Sequence, residues 1–155
     1  MRKTCLVLLS MFLFGCAVAK PTPEQMRAAE YGLFPTNYKE LVTQHITSRL
    51  IDPESAKFSD WIGPSQGWYG RYMSIDPLNP FGYEKKEYFG YKVCLYVNAK
   101  NRMGGYTGRL LHFLMIKNGT VILSASESVG DNTYERQQIY NLCHDVKTPE
   151  TLDNP

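Results

Sequence analysis

Side chains capable of chemistry are few in this chain and widely spaced. Cys94 and Cys143 are two cysteines that in an oxidising compartment most simply form one disulfide. Two free buried thiols are the alternative. A Cys143–His144 nucleophile–base couple is a third reading, disfavoured because catalytic Cys and His normally stand apart in sequence. His45, His112 and His144 are isolated from one another. His45 has no second metal-type residue one helical turn on, so a core or rim histidine is expected and no metal site. Glu84, Glu87, Asp60 and Asp76 could supply carboxylate pairs for acid–base chemistry, but that chemistry depends on separation in space, which sequence spacing does not fix.

The densest motif is Val97-Asn98-Ala99-Lys100-Asn101-Arg102-Met103-Gly104-Gly105-Tyr106-Thr107-Gly108. Glycine and asparagine are the residues that tolerate left-handed backbone, so a tight strand connection with a bulge is expected here. Gly104 and Gly105 are the positions expected to need that backbone. The functional reading of the same loop is a surface that presents Asn98, Lys100, Asn101 and Tyr106, set by Gly104, Gly105 and Gly108, to a partner or ligand. A nest of backbone N–H groups could hold an anion. Neither GxxxxGK[ST] nor GxGxxG is present, and no nucleotide or other cofactor is expected.

The N-terminus reads as a targeting segment. Arg2 and Lys3 precede an apolar run from Cys5 to Phe14, and Lys20, Pro21 and Pro23 break the apolar stretch after Ala19. A membrane-spanning helix needs about 20 apolar residues, so a cleaved signal is favoured over an anchor helix. Two cleavage sites compete. Leu13-Phe14-Gly15-Cys16 resembles a bacterial lipobox, with Cys16 as the residue that takes acyl chains such as palmitate. Ala17-Val18-Ala19 is an ordinary A-x-A site that would release a soluble chain. Several acyl chains anchor stably, whereas one binds only marginally. Removing residues 1–15 takes Arg2 and Lys3 from the 17 basic side chains and leaves 15 against 15 acidic ones. A nucleic-acid surface thereby loses its electrostatic support. Cys5 leaves with the signal.

Residues 16–36, with three prolines and little periodicity, are expected to be a tether that can pack Leu33 and Phe34 on the domain. A single domain over 37–147 follows, and 148–155 is expected to be a frayed tail. Tyr38, Leu41, Val42, His45, Ile46 and Leu50 recur at helical spacing after an Asn37…Glu40 capping box, and Asp52-Pro53 stops the helix. Short strands are expected at 58–62 and 68–73, divided by a turn at Gly63-Pro64 and Gly67. Residues 76–80 form a loop with two prolines. The stretch 88–98 alternates strictly, with Tyr91, Val93, Leu95 and Val97 on one face. Residues 110–116 are apolar on both faces, which places them in the middle of a covered sheet. Asn118-Gly119 is a strong two-residue hairpin signal before a strand at 120–124. A last helix spans 133–146, with an Asn132…Glu135 capping box and an apolar stripe of Ile139, Leu142, Cys143 and Val146. The expected fold is α+β: an antiparallel sheet of about four strands with an N-terminal and a C-terminal helix packed on it.

The segments Asp52-Pro53-Glu54-Ser55-Ala56-Lys57-Phe58 and Cys94 through Gly108 resemble a family of small bacterial exported proteins and lipoproteins that share D-P-x-S-A-x-F and C-x-x-V-N-A-K-N-x-x-G-G-Y-x-G. This chain departs from the pattern at Leu95, where a glycine often follows the cysteine. The resemblance implies the fold and an envelope location, and no reaction. The expectation is a non-enzymatic lipoprotein, lipid-anchored in the outer membrane and facing the periplasm. It would work through contacts with other envelope proteins, such as those of a secretion or conjugation assembly. A periplasmic inhibitor or small-ligand-binding module is the alternative.

Overall fold

The structure, a computed structural model, describes residues 19–74 and 83–146. Cys16, the cleavage sites, the 76–80 loop and the tail lie outside the described residues. In chain order the elements are α1 (Pro23–Ala28), α2 (Tyr38–Thr47), β1 (Lys57–Ser74), β2 (Tyr83–Asn98), β3 (Leu110–Lys117), β4 (Thr120–Ser126) and α3 (Thr133–His144). The strands form one four-stranded antiparallel sheet in the order β1-β2-β3-β4, as an α+β fold was expected to do.

Side-chain alternation divides the sheet into two apolar layers. Val93, Leu95 and Val97 of β2 and Leu114 and Ile116 of β3 pack with Val42 and Ile46 of α2. Cys94 of β2 and Leu111, Phe113 and Met115 of β3 pack with Cys143 and Val146 on the opposite side. Successive residues of a strand face opposite ways, so a strand with apolar residues on both faces belongs between two layers. That is where β3 lies. Leu95 is fully buried in the α2 layer, filling space that a glycine would leave empty.

Residues 57–74 correct the expectation of two short strands. Instead of turning at Gly63-Pro64, the chain continues as one strand of 18 residues. Register shifts against β2 fall between Ser59 and Ile62 and between Ile62 and Ser65, with Asp60 at φ 51 and Gly63 at φ 95. The turn residues are absorbed as bulges: extra residues swing out of the ladder and pairing resumes beyond them. A proline, which has no N–H to donate, fits such a position.

The helix ends differ in a similar way. Asn132 caps α3 with the expected box, its side chain accepting from the Glu135 N–H at 3.0 Å. Asn37 makes no side-chain cap; its carbonyl accepts from the Leu41 N–H at 3.2 Å, and a turn in which the Pro35 carbonyl accepts from the Tyr38 N–H at 3.1 Å leads into the helix. Helix α2 stops at Thr47, short of Leu50. There the Thr47 hydroxyl bonds the Thr43 carbonyl at 2.9 Å, and Ser48 and Arg49 both donate to the His45 carbonyl. The bonds from Ser48 and Arg49 satisfy a last-turn carbonyl that no further turn of helix reaches.

Before α2, the chain lies across one end of the sheet. Tyr31 is buried edge-on to Phe89, and Phe34 meets Tyr91 edge-on. Leu33 remains 80% exposed, but its N–H donates to the Asn118 side chain at 3.2 Å. Lys117 donates to the Glu30 carbonyl at 2.8 Å. Gly32 is needed in this strap, because a Cβ there would lie 2.4 Å from the Asn118 amide oxygen. The strap therefore grips the β3–β4 hairpin, where Asn118 (φ 49) and Gly119 (φ 71) make the expected two-residue turn.

Candidate interaction loop

The β2–β3 connection is at the other end of the sheet from the strap, and its own side chains hold it. The Asn101 amide oxygen accepts from the N–H of Met103 at 2.9 Å and of Gly105 at 3.1 Å. Its backbone N–H donates to the Gly105 carbonyl at 2.8 Å, and its carbonyl accepts from the Gly104 N–H at 3.0 Å. Lys100 pairs with Tyr106 as an antiparallel bridge, and Thr107 N–H closes the base on the Ala99 carbonyl at 3.0 Å. One asparagine thus satisfies most of the polar backbone of a tight loop, a local alternative to a strand ladder.

Gly104 (φ 78) and Gly108 (φ 86) occupy left-handed backbone, whereas Gly105 does not. The expectation for Gly105 is corrected. The Asn101 side chain reaches back to the Gly105 N–H, so this residue closes the loop with ordinary dihedrals and Gly108 makes the second reversal.

The two segments quoted for the family resemblance meet in space. The Asp52 carboxylate accepts from the Ser55 N–H at 3.2 Å and caps a short 3-10 turn, Pro53–Ser55. The Ser55 hydroxyl donates to the Asp52 carbonyl at 2.8 Å and accepts from the Lys100 N–H at 2.9 Å. Phe58 then packs against the α2-side core and stacks on Trp61. The first segment is therefore the buttress of the loop.

This arrangement displays a small cationic and aromatic surface. The Tyr106 ring has the Lys57 ammonium 4.7 Å and the Lys100 ammonium 5.7 Å from its centroid. Tyr106 is 46% exposed and Met103, at the tip, 94% exposed. Arg102 is also exposed. Nearby, Arg109 lies over the Tyr96 ring at 4.5 Å and forms an ion pair with Asp60. Asn98 does not join this display, since its amide oxygen is buried and finds no hydrogen-bond partner among the described residues. Lys57 was not legible as a member of the site: nothing local marks it, and it reaches Tyr106 from the strand opposite Asn98.

The other candidate groups lie elsewhere. Glu84 pairs with Lys86 at 2.8 Å and Glu87 with Lys85 at 2.9 Å, so these carboxylates sit in surface ion pairs. Burial pushes the His112 imidazole down to about 4. His45 is also lowered, by burial first and by the Arg49 charge second. Among the described residues no three His, Cys, Asp or Glu side chains come together as a metal site. Cys94 and Cys143 are at disulfide-bonding distance with Cα atoms 5.9 Å apart, joining β2 to α3. An open cleft of about 680 Å³ lies between β1 and the end of α3, lined in part by Tyr69, Lys92, Asn141, His144 and Asp145. Burial lowers the Lys92 ammonium there, against the opposing effect of Asp145.

No protein-family model, curated protein or solved structure matches the chain.

Proposed function

We propose that this chain is a non-enzymatic envelope lipoprotein, anchored through Cys16, that works by presenting the 98–108 loop to another envelope protein. The observation that carries the reading is the loop itself: exposed Met103 and Tyr106 side chains stand on a backbone already fixed by Asn101 and Ser55. Contact surfaces favour Tyr, Met and Arg, and a preorganised loop loses little conformational freedom on binding. The cysteine pair suits an oxidising compartment.

Crosslinking and pull-down from intact envelopes tests the reading. Tyr106→Ala and Lys100→Ala are expected to lose the captured partner with the melting temperature preserved. Cys16→Ser is expected to abolish lipid labelling and to release the chain from the membrane fraction. Unchanged membrane fractionation with processing after Ala19 would overturn the anchor. Capture that survives both loop substitutions would overturn the role of the loop.

A further inference from the structure

The two outer edges of the sheet differ in how they meet solvent. An edge strand carries a row of unpaired peptide groups, and proteins usually protect it with charge, proline or bulges. β1 has all three: Lys57, Asp60 and Arg71, Pro64, and two bulges. β4, Thr-Val-Ile-Leu-Ser-Ala-Ser, has neither a charged side chain nor a proline over its seven residues.

The direction of its peptide groups can be read from the ladder. Glu127 N–H donates to the Leu111 carbonyl at 2.9 Å, and the Leu111 N–H donates to the Glu127 carboxylate at 2.9 Å, so the Glu127 N–H points into the sheet. Below it the pairing runs His112 with Ser126, Phe113 with Ala125, Leu114 with Ser124 and Met115 with Leu123. Antiparallel ladders alternate, so the peptide groups of Ala125 and Leu123 point into the sheet while those of Ser124 and Ser126 point out. Among the described residues no hydrogen bond reaches that outer row. Leu123 and Ala125, packed against the α3-side core, and Val121, packed against the α2-side core, are each covered only in part. Both apolar layers thus run out to an open edge.

We propose that β4 is the site where a second copy of this chain docks, strand against strand and antiparallel, about a two-fold axis through Ser124. In that register Ser124 faces its own counterpart as a hydrogen-bonded pair. Leu123 faces Ala125 of the other copy on the α3 side, extending that core across the junction. Self-pairing brings no like charges together along the strand, and a chain with 15 basic and 15 acidic side chains after residue 15 has no net charge to keep copies apart. A two-fold interface closes on itself, so one contact yields a dimer and uses up the β4 edge of both copies. The better-protected β1 becomes the outer edge of an eight-stranded sheet.

Ser124 is exposed in the single chain, so substitutions there test the contact without disturbing the core. The mature chain, extracted from envelopes in mild detergent, is expected to have the mass of a dimer by sedimentation or light scattering. Ser124→Lys and Ser124→Glu should each halve that mass, because like charges then face each other at the axis. An equimolar mixture of the two should recover the dimer through Lys–Glu pairing. In intact envelopes Ser124→Cys should form a covalent dimer on mild oxidation, since opposed Cα atoms about 5.5 Å apart lie within disulfide reach. A monomeric wild-type chain that gives no Ser124→Cys crosslink overturns the proposal. So does a dimer that neither charged variant weakens, or a Lys–Glu mixture that stays monomeric. The self-association is independent of the loop, and Tyr106→Ala should leave it unchanged.

Discussion

The two faces of this sheet are closed by different physical means. On one, α2 contributes Val42 and Ile46, both buried, to a continuous aliphatic layer with β2 and β3. On the other, Cys143 is the buried residue within α3, and Tyr134 and Tyr140 of that helix stand in solvent. Ile139 and Leu142 of that helix are partly buried against the same core, and the Cys94–Cys143 pair and Val146, just beyond the helix end, complete that contact. The first helix is held by the hydrophobic effect, which acts in any aqueous compartment. The second has a thinner apolar contact and adds to it a bond that needs oxidation. Titratable groups sit on both faces: His45 belongs to α2 and His112 shares its strand face with Leu114 and Ile116, both lowered by burial, while Lys92 and Asp145 meet at the α3 side.

The largest effect is expected from Ile46→Ala. It should cost about 2–5 kcal/mol in urea unfolding, because the cavity opens inside the aliphatic layer. A cost below about 1 kcal/mol would mean that α2 is not held by packing, which would break the comparison.

Next in size is the double change Cys94→Ala with Cys143→Ala, expected to cost about 2–4 kcal/mol. Its distinguishing readout is local. Amide exchange should quicken in α3 while the amides of α2 stay slow. Equal loss of protection in both helices would show that the two faces unfold as one unit.

The third effect is graded with pH. The folded-state value of His112 lies near 4, below its ordinary 6.5, so at intermediate pH the unfolded chain binds the extra proton. Stability is then complete above about 6.5 and is lost as pH falls from there towards 4. His112→Gln should flatten that part of the stability–pH curve. An unchanged curve would locate the acid sensitivity elsewhere, with His45 the next residue to replace.

The smallest effects belong to the loop, which stands outside both layers. Gly104→Val should destabilise by roughly 1 kcal/mol because of its positive φ, and Gly105→Val by less. Lys100→Ala should alter stability by no more than about 0.5 kcal/mol, as an exposed loop lysine makes few stabilising contacts. Equal costs for the two glycine variants would contradict the loop geometry described above.

Local patterns in the sequence determined much of this protein. Strict alternation at 88–98 and doubly apolar character at 110–116 specify a central strand pair, because side chains of a strand alternate and buried strands need two covers. Asn118-Gly119 specifies a hairpin and Asn132 with Glu135 a helix start, since turn and cap chemistry act over two to four residues. Tertiary structure alone decided the rest. Gly63-Pro64 reads as a turn until a long partner strand offers hydrogen bonds on both sides of it, and then it becomes a bulge. Asn37 reads as a side-chain cap, but its backbone at φ -98 and ψ 30 is outside the extended geometry from which a cap side chain reaches the N2 or N3 N–H. Lys57 and Ser55 join the 98–108 loop only because β1 pairs with the end of β2, which brings residues about 45 positions apart into hydrogen-bond range. Sequence spacing records which groups can interact locally. Which distant groups do so depends on how two apolar layers close over one sheet, and that packing is a property of the whole chain.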